Sequence, residues 1–244
     1  MPTTATSPAD QALASLLSAA DPADIAGVIA RMQAIDAILP ANDGLKWFNQ
    51  LYLMVTQQVD LNPPGGAWQN PQWLLGLDVI FADYYFSAIR EFLAGQIIPS
   101  AWSALFEARF RSGIDRIQFA VAGMNAHINR DLALALLDTD SSLNLLPAPD
   151  GPEHADYQSI NTLLQTVMPA ALNMLAGDIL GLVAEDTGNI GRLLAFWDIC
   201  RARDLAWDFA GHLRGLNSLV RDAALVTQDA MTGALGRAIL AVRA

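Results

Sequence analysis

The hydrophobic residues of this 244-residue chain recur every three or four positions almost throughout, without a convincing run of alternating polar and apolar residues. That spacing returns an α-helix to the same face, whereas a strand repeats every second position. One apolar stripe runs from Ile25 to Ile38 and stops at Pro40, and the next begins after Asn42-Asp43-Gly44. The pattern predicts an all-α, single-domain, multi-helix bundle of about eight to ten helices.

Two segments interrupt the helical spacing. Residues 60–72 contain three prolines and two glycines, and residues 138–154 combine Asp-Thr-Asp-Ser-Ser with Pro-Ala-Pro-Asp-Gly-Pro. Because proline and paired glycines stop a helix, we predict two long loops there.

The two ends of the chain carry weaker signals. Residues 1–20 are rich in small and polar types, so we expect a loose leader joined to a short helix, ahead of a single helical domain over 21–244. Toward the C-terminus we predict a break near 186–189, a helix from Ile190 to about Val226, and a terminal helix to about Val242.

The composition is unusually apolar. Hydrophobic residues make up 53% of the chain and charged residues 16%, against about 25% charged in an average soluble domain. The surplus fits a wide core, a homo-oligomer interface or a pocket for an apolar ligand. The uncharged stretch over 157–177 is interrupted by polar residues such as Asn161 and Asn173, so we predict a core helix there and no transmembrane segment.

The charge balance and the N-terminus narrow the choice of partners and compartment. The net charge is -11 with only 14 lysines and arginines, which argues against a nucleic-acid partner and against an anionic membrane surface. Cys200 is the single cysteine, and the first residues carry neither a basic region nor an apolar core of a signal peptide. These features predict a cytoplasmic protein.

Polar side chains stand on the apolar faces of a helix predicted from Ile114 to Leu137. His127 and Asp131 lie four residues apart and share one face, and Asn125 and Asn129 form a second pair nearly opposite. Apolar residues would pack in a buried helix with less desolvation, so these polar groups indicate either a functional site or a structural network that fixes helix register.

Two earlier helices carry polar residues that could join this cluster. Asp78 falls on one stripe with the aromatic residues Phe81 and Tyr85, where an unpaired carboxylate is costly. Asn49 and Tyr52 lie beside the apolar stripe of the preceding helix. A structural bond to Asp78 and a working role for it remain open alternatives.

The C-terminal region repeats the carboxylate and imidazole spacing in reversed order. Asp208 and His212 are four residues apart, so a helix carrying them and the helix carrying His127 and Asp131 could together supply four ligands to a divalent metal. A solvated face with local ion pairs explains the same residues.

Three segments of the chain form a recognisable set: Asp43-Gly44-Leu45 with Phe48-Asn49 and Tyr52, Leu77-Asp78-Val79 with Phe81-Ala82 and Tyr85-Phe86, and Ala122 to Asn129 with Asp131-Leu132. Over about residues 25–225 the chain resembles, through these segments, the bacterial and fungal family known as domain of unknown function 5995. The resemblance implies that Asn49, Asp78, Asn125, His127, Asn129 and Asp131 belong to the family pattern, and it implies no activity.

The leading hypothesis is an enzyme that works by acid and base catalysis, without a cofactor, on a largely apolar small molecule held between helices. His127 would carry the proton, with Asp131 or Asp78 as its partner. Expected contributors to substrate binding are Asn49, Asn125, Asn129, Tyr52, Phe81, Tyr85 and Trp207. Two alternatives remain. One is a mononuclear metal enzyme that uses His127 and Asp131 with either Asp78 or the Asp208 and His212 pair, and the other is a non-catalytic binding or structural protein.

Overall fold

The computed structural model of the chain describes residues 7–61, 67–176 and 198–241. Within these ranges the chain is helical apart from turns and coil, and no strand occurs in them. The helices are α1 (Pro8–Leu17), α2 (Ile25–Ile38), α3 (Gly44–Leu61), α4 (Pro71–Leu93), α5 (Ser100–Ala108), α6 (Arg116–Ala126), a π-helical turn (His127–Asp131), α7 (Leu132–Ser142), α8 (Pro152–Ala176), α9 (Ile199–Arg214) and α10 (Ser218–Ala241). The all-α prediction is confirmed.

No helix in the described part of the chain has the length and apolarity that a membrane span needs.

The segment predicted to be a loose leader over 1–20 contains helix α1. Ser7 caps it by accepting a hydrogen bond from the amide of Asp10 at 3.0 Å, and Pro8 occupies the first helical position. Leu13 and Leu17 are fully buried. Residues 8–17 are therefore packed onto the bundle.

Both predicted loops are shorter in the described structure. Helices α3 and α4 occupy the ends of the segment predicted as a loop over 60–72, and residues 62–66 of that segment lie outside the described residues. The second loop covers 143–151 instead of 138–154, because α7 continues through Ser142.

The last turns of α7 are helical because their polar side chains have partners. Asp140 accepts a hydrogen bond from the indole nitrogen of Trp73 at 2.9 Å and forms an ion pair with Arg214 at 2.6 Å. Helix-disfavouring residues are tolerated where tertiary contacts outweigh their intrinsic preference.

The prediction of one helix from Ile190 to about Val226 was wrong beyond Arg214, where α9 ends. The chain turns at 215–217, and the Asn217 side chain caps α10 by accepting from the amide of Val220 at 3.1 Å. The break predicted at 186–189 lies outside the described residues.

The core has two adjoining parts. The first is formed mainly by α2, α3, α5, α6 and the second half of α4, and contains Phe48 and Trp102. The second is formed mainly by the first half of α4 with α7, α8 and α9, and contains Trp73 and Trp207. Tyr52 packs against both parts, so this side chain marks their junction.

Helices α3 and α6 approach each other closely at the junction. A Cβ atom on Gly123 would overlap the side chain of Phe48, so glycine permits the contact. The start of α3 is fixed by buried Asp43, which accepts from the guanidinium of Arg109 at 3.0 Å. Together these contacts set where α3 presents its side chains to the segment that follows α6.

Candidate functional site

The segment singled out by its polar residues contains a π-helical turn that the helical spacing did not predict. His127 and Asp131 bound this turn, and both are buried. Nδ1 of His127 lies 3.2 Å from Oδ2 of Asp131. Single π-helical turns inside α-helices occur often at functional sites, so the geometry directs attention to this pair.

Asp131 is held by several donors. Its Oδ2 accepts from the indole nitrogen of Trp102 at 2.8 Å, and its Oδ1 accepts from Arg130. Arg130 also lies 3.3 Å from Asp229, which in turn accepts from the first amides of α5. The buried charge of Asp131 is therefore compensated, and the carboxylate is fixed in place.

The imidazole of His127 lies in a cage of aromatic rings. Phe81 stacks on it with ring centroids 3.5 Å apart and an angle of 6° between the planes, and Tyr52 approaches at 4.5 Å. Burial lowers the pKa of His127, and Asp131 only partly offsets this effect. At neutral pH the ring is therefore neutral, with its proton on Nδ1 facing Asp131, since a carboxylate can only accept.

That tautomer leaves a lone pair on Nε2 of His127. The Nε2 atom is buried and has no hydrogen-bond partner among the described residues. Buried polar atoms without partners are uncommon, and each one needs a structural or functional explanation.

Asp78 presents a second unpartnered atom. The residue is partly exposed, but its Oδ2 is enclosed and bonded to no described residue. Burial raises the pKa of Asp78 to about 7, and the positive charge of Arg203 opposes the rise without cancelling it. The carboxyl is thus divided between its acidic and basic forms near neutral pH.

Asp78 faces a small cavity of about 40 Å³ between α3, α4 and the α7–α9 side of the bundle. Its polar lining is Asp78, Tyr52, Thr56 and Arg203, and its apolar lining is Val55, Val59, Leu74, Leu77, Phe81, Leu132 and Ile160. A water molecule occupies about 30 Å³ in the liquid, so the space accommodates a water-sized group.

Tyr52 and Phe81 connect the two halves of the candidate site. Both side chains line the cavity of Asp78, and both rings contact the imidazole of His127. Burial, reinforced by the charges of Asp78 and Asp131, raises the pKa of Tyr52, so its hydroxyl stays protonated. The structure therefore brings all five residues into one region, with the two rings between the Asp78 cavity and His127.

The predicted amide and hydroxyl ligands are occupied within the fold. Asn49 donates to a main-chain carbonyl of α2 at 3.0 Å and accepts from the hydroxyl of Tyr85 at 3.2 Å. Asn125 donates to a carbonyl of α10 at 2.9 Å and accepts from Asn129 at 2.9 Å. These groups hold helices together in the structure described.

Helix α9 packs against the π-helical turn, but in the described structure the residues predicted on it do not join the aromatic cage of His127. Trp207 belongs to the second part of the core, and it borders an open hollow of about 310 Å³ with Asp208 and His212. Within the described ranges, no three His, Cys, Asp or Glu side chains are grouped closely enough to hold a metal ion. The four-ligand arrangement with His127 and Asp131 is therefore not formed in this structure.

Sequence reasoning missed two arginines. Arg203 lines the cavity, and Arg130 joins Asp131 to Asp229. Arg203 could have been found, because it lies four residues before Trp207 on a stripe that also carries Ala206 and Ala210. Arg130 gave no such signal, because its second partner, Asp229, lies on another helix.

A larger cleft of about 490 Å³ runs along the outer face of α4 and reaches Arg130. Its lining carboxylates include Asp83, which is paired with Arg90, and Asp138, which accepts from a tyrosine hydroxyl of α4 at 2.6 Å. These groups have partners, so the cleft lacks the unpartnered chemistry of the cavity beside Asp78.

Comparison with known proteins gives one match. The model of the "Family of unknown function (DUF5995)" matches residues 25–242. No curated protein and no solved structure shows significant similarity to the chain.

Proposed function

We propose that this chain, which belongs to the DUF5995 family, is an acid/base enzyme acting on a largely apolar small molecule. The description of the family states no activity, so the proposal is argued from the candidate site. The proton-transferring group is Asp78. The observation that carries this proposal is the enclosed Oδ2 of Asp78, which has no partner and faces an otherwise largely apolar cavity. Small-molecule sites combine an apolar lining with a few convergent polar groups, and this space of about 40 Å³ admits only the reacting end of the substrate.

The acidity of Asp78 suits this role. A general acid or base works best when its pKa lies near the operating pH, and that of Asp78 is raised to about 7 by burial. An enclosed oxygen without a partner costs about 1–3 kcal/mol of stability. Leucine at this position would avoid that cost, so the carboxyl is better explained by its chemistry than by packing.

His127 takes a supporting role in this proposal. The rings of Phe81 and Tyr52 lie between its imidazole and the cavity, so a ligand beside Asp78 does not reach Nε2 unless one ring moves. We assign to His127 and Asp131 the positioning of those two rings. Neutral His127 stacks on Phe81 without placing a charge in the aromatic cage.

The reaction class stays broad. Isomerisation, cyclisation, elimination and hydrolysis each need a proton donated or removed at one atom, which a carboxyl at half-protonation performs. Because the acid and the base are the same side chain in two protonation states, this chemistry requires no cofactor.

The test is a screen for turnover followed by two matched variants. Apolar ketones, enones, lactones and epoxides are incubated with the protein in D₂O, and products and deuterium incorporation are followed by NMR. For a compound that turns over, Asp78→Asn should lower kcat/KM by about 10²–10⁴-fold. Asp83→Asn, on the outer face of the same helix, should leave it within about twofold. Turnover that survives Asp78→Asn would exclude Asp78 as the proton carrier.

A non-catalytic protein is the second candidate. It is favoured by the amides of Asn49, Asn125 and Asn129, which are all engaged within the fold, and by a cavity of only about 40 Å³. In that case no compound of the screen is turned over, and His127→Gln lowers the free energy of unfolding without any effect on ligand binding.

A further inference from the structure

Helix α10 carries a group of exposed apolar side chains. Leu219 is 79% exposed, Val226 70%, Met231 66% and Val220 46%. Ten large hydrophobic side chains are exposed in the described part of the chain, and the six that lie outside α10 stand singly on different helices and connections. Single exposed hydrophobic residues are normal on a protein surface, whereas a contiguous group of them marks an interaction site.

These side chains belong to one outward face of the helix. Successive residues of an α-helix are rotated by about 100°, so positions three, four and seven apart fall on the same side. The exposed residues on that side, called here the outer face of α10, are Leu219, Val220, Ala223, Val226, Thr227, Ala230, Met231, Ala234, Arg237, Ala238 and Ala241. From residue 219 to residue 234 this face contains no charged residue.

The opposite face of α10 is fixed against the bundle. It packs on α5 and α6, and a Cβ atom on Gly233 would overlap Ser100 at the start of α5. Asp229 accepts hydrogen bonds from the amides of Ser100 and Ala101 at 2.8 Å and 3.1 Å. These contacts set the rotation of α10 about its axis, so the outer face is presented on a rigid element.

The outer face is complementary to itself when two copies of α10 run antiparallel. With Ala230 on a twofold axis, Leu219 of one copy lies opposite Ala241 of the other, and Val226 lies opposite Ala234. Large side chains therefore meet small ones at each step, which lets two helices pack closely. A twofold interface uses the same surface on both subunits, so this self-complementarity is the property it needs.

The charges at the two ends of the helix favour the same arrangement. Asp222 is exposed and forms no ion pair with any described residue. Arg237 is 45% exposed and bonds to Glu107 and Ser100 with three of its N–H groups, which leaves two of its roughly five donors free. Antiparallel pairing brings Arg237 of one copy beside Asp222 of the other, whereas parallel pairing would place like charges together.

The size of the face fits a dimer of moderate affinity. A helix of 24 residues is about 36 Å long and about 10 Å wide, so its face projects about 360 Å². Ile97 is 99% exposed and lies three residues before Ser100, on the side of α10 that carries Val226, so it extends the surface. Specific interfaces bury about 500 Å² or more per copy, and an interface near this limit predicts a dissociation constant in the micromolar range.

We infer that the outer face of α10 binds a second copy of this chain, as an antiparallel dimer with its twofold axis at Ala230. A lipid surface is a poorer match, because membrane-binding amphipathic helices carry several Lys and Arg residues beside the apolar face. Arg221 and Arg237 are the two basic residues of α10. The dimer is independent of the proposed function, since none of the residues lining the Asp78 cavity lies on α10.

Sedimentation velocity over about 5–200 μM protein tests the inference. In 0.15 M NaCl the net charge of -11 on each chain is screened beyond about 8 Å. The mass should rise with concentration from 26.2 kDa to twice that value. Ala230→Glu places two carboxylates at the axis and should raise the dissociation constant by at least about 100-fold. Leu146→Glu alters an equally exposed side chain in the 143–151 loop and should leave it unchanged.

Two further sets of variants test the orientation. Asp222→Arg should weaken the dimer by about 3–10-fold, and adding Arg237→Asp should restore it, because each ion pair is then reversed. In a Cys200→Ser background, which removes the single cysteine, Ala230→Cys should form a disulfide between copies on mild oxidation. Ser218→Cys, at the end of α10 farthest from its own symmetry mate, should not.

A protein that remains monomeric at about 200 μM would overturn the inference, and so would a dimer that persists unchanged in Ala230→Glu. If that monomer binds phosphatidylcholine vesicles and loses binding with Ala230→Glu, the outer face binds lipid instead of a second copy. A disulfide formed by Ser218→Cys and not by Ala230→Cys would refute the antiparallel arrangement. Circular dichroism confirms that each variant is folded, and if Ala230→Glu is not, the cross-linking result decides.

Discussion

Replacing Asp78 by asparagine should stabilise the protein, and more so at high pH. Below about pH 4 the carboxyl is protonated in both the folded and the unfolded chain, so its ionisation has no effect on stability. Between pH 4 and pH 7 the unfolded chain loses the proton while the folded chain keeps it, because the folded pKa is raised to about 7. Over this window wild-type stability falls by up to about 1.4 kcal/mol per pH unit, and above pH 7 the loss is constant.

The size of the effect follows from the pKa shift and from exposure. A shift from 3.8 to about 7 corresponds to a limit of about 4 kcal/mol. The residue is partly exposed and water screens its charge, so this value is an upper limit. Asparagine has the same shape and no charge to desolvate, so it should recover much of this amount at pH 8.5.

Urea unfolding followed by circular dichroism at pH 5 and pH 8.5 measures the effect. The difference in free energy of unfolding between Asp78→Asn and wild type should widen by about 1–3 kcal/mol from the lower to the higher pH. Other titrating groups are common to both proteins and cancel in this difference. Asp60→Asn removes an exposed carboxylate at the end of α3 and should change stability by less than about 0.5 kcal/mol at either pH.

A difference that stays constant between the two pH values would refute the reasoning. So would a variant that is less stable than wild type at pH 8.5, since that result would mean that Asp78 is ionised and paired with Arg203 in the folded protein. Carboxyl infrared bands of the wild type at pH 6 provide an independent check, because a protonated Asp78 absorbs separately from ionised carboxylates.

Three further predictions concern the surroundings of the site. Gly123→Ala should destabilise the protein by about 1–3 kcal/mol in urea unfolding, because the new Cβ overlaps a side chain of α3. Gly211→Ala is the control: its new Cβ has nothing nearer than 3.9 Å, so it should stabilise the protein by up to about 1 kcal/mol. Equal effects of the two substitutions would contradict the close packing at Gly123. Trp102→Phe should cost about 1–3 kcal/mol, because Asp131 loses a donor, and an unchanged unfolding midpoint would count against that bond. Burial lowers the pKa of His127, so as the pH falls the unfolded chain binds a proton at His127 before the folded chain does. The free energy of unfolding should therefore decrease as the pH drops below about 6.5. An imidazole NMR spectrum showing a charged His127 ring at pH 6.5 would contradict this prediction.

Periodicity predicted the helices that bury one continuous stripe. The helix over Ile25–Ile38 and the start of the next at Gly44 were read correctly from apolar spacing and the turn between them. Errors arose where tertiary contacts decide. Asp140 remains helical because of partners on α4 and α9, and the break at 215–217 depends on a local cap within an otherwise helical pattern.

The candidate site was predictable in part for the same reason. Helical spacing placed His127 beside Asp131 and placed Asp78 among aromatic residues. In the structure His127 lies 3.2 Å from Asp131, and Asp78 shares a cavity with Tyr52 and Phe81. Whether a polar group is satisfied depends on side chains distant in sequence, so spacing could not show that Asn49 is engaged or that Arg203 lines the cavity beside Asp78. The π-helical turn is a single-residue change in winding that leaves no mark on the apolar pattern.

The distribution of unsatisfied atoms supports one working region more strongly than any single residue does. Among the described residues, buried side-chain atoms without a hydrogen-bond partner occur at five positions, and two of these belong to carboxylates that are in ion pairs. Asp78 and His127 supply two of the remaining three, and they lie on either side of the Tyr52 and Phe81 rings. Packing alone would relieve both atoms with apolar residues, so their position on the two sides of the same pair of rings supports the proposal that Asp78 and His127 belong to one site.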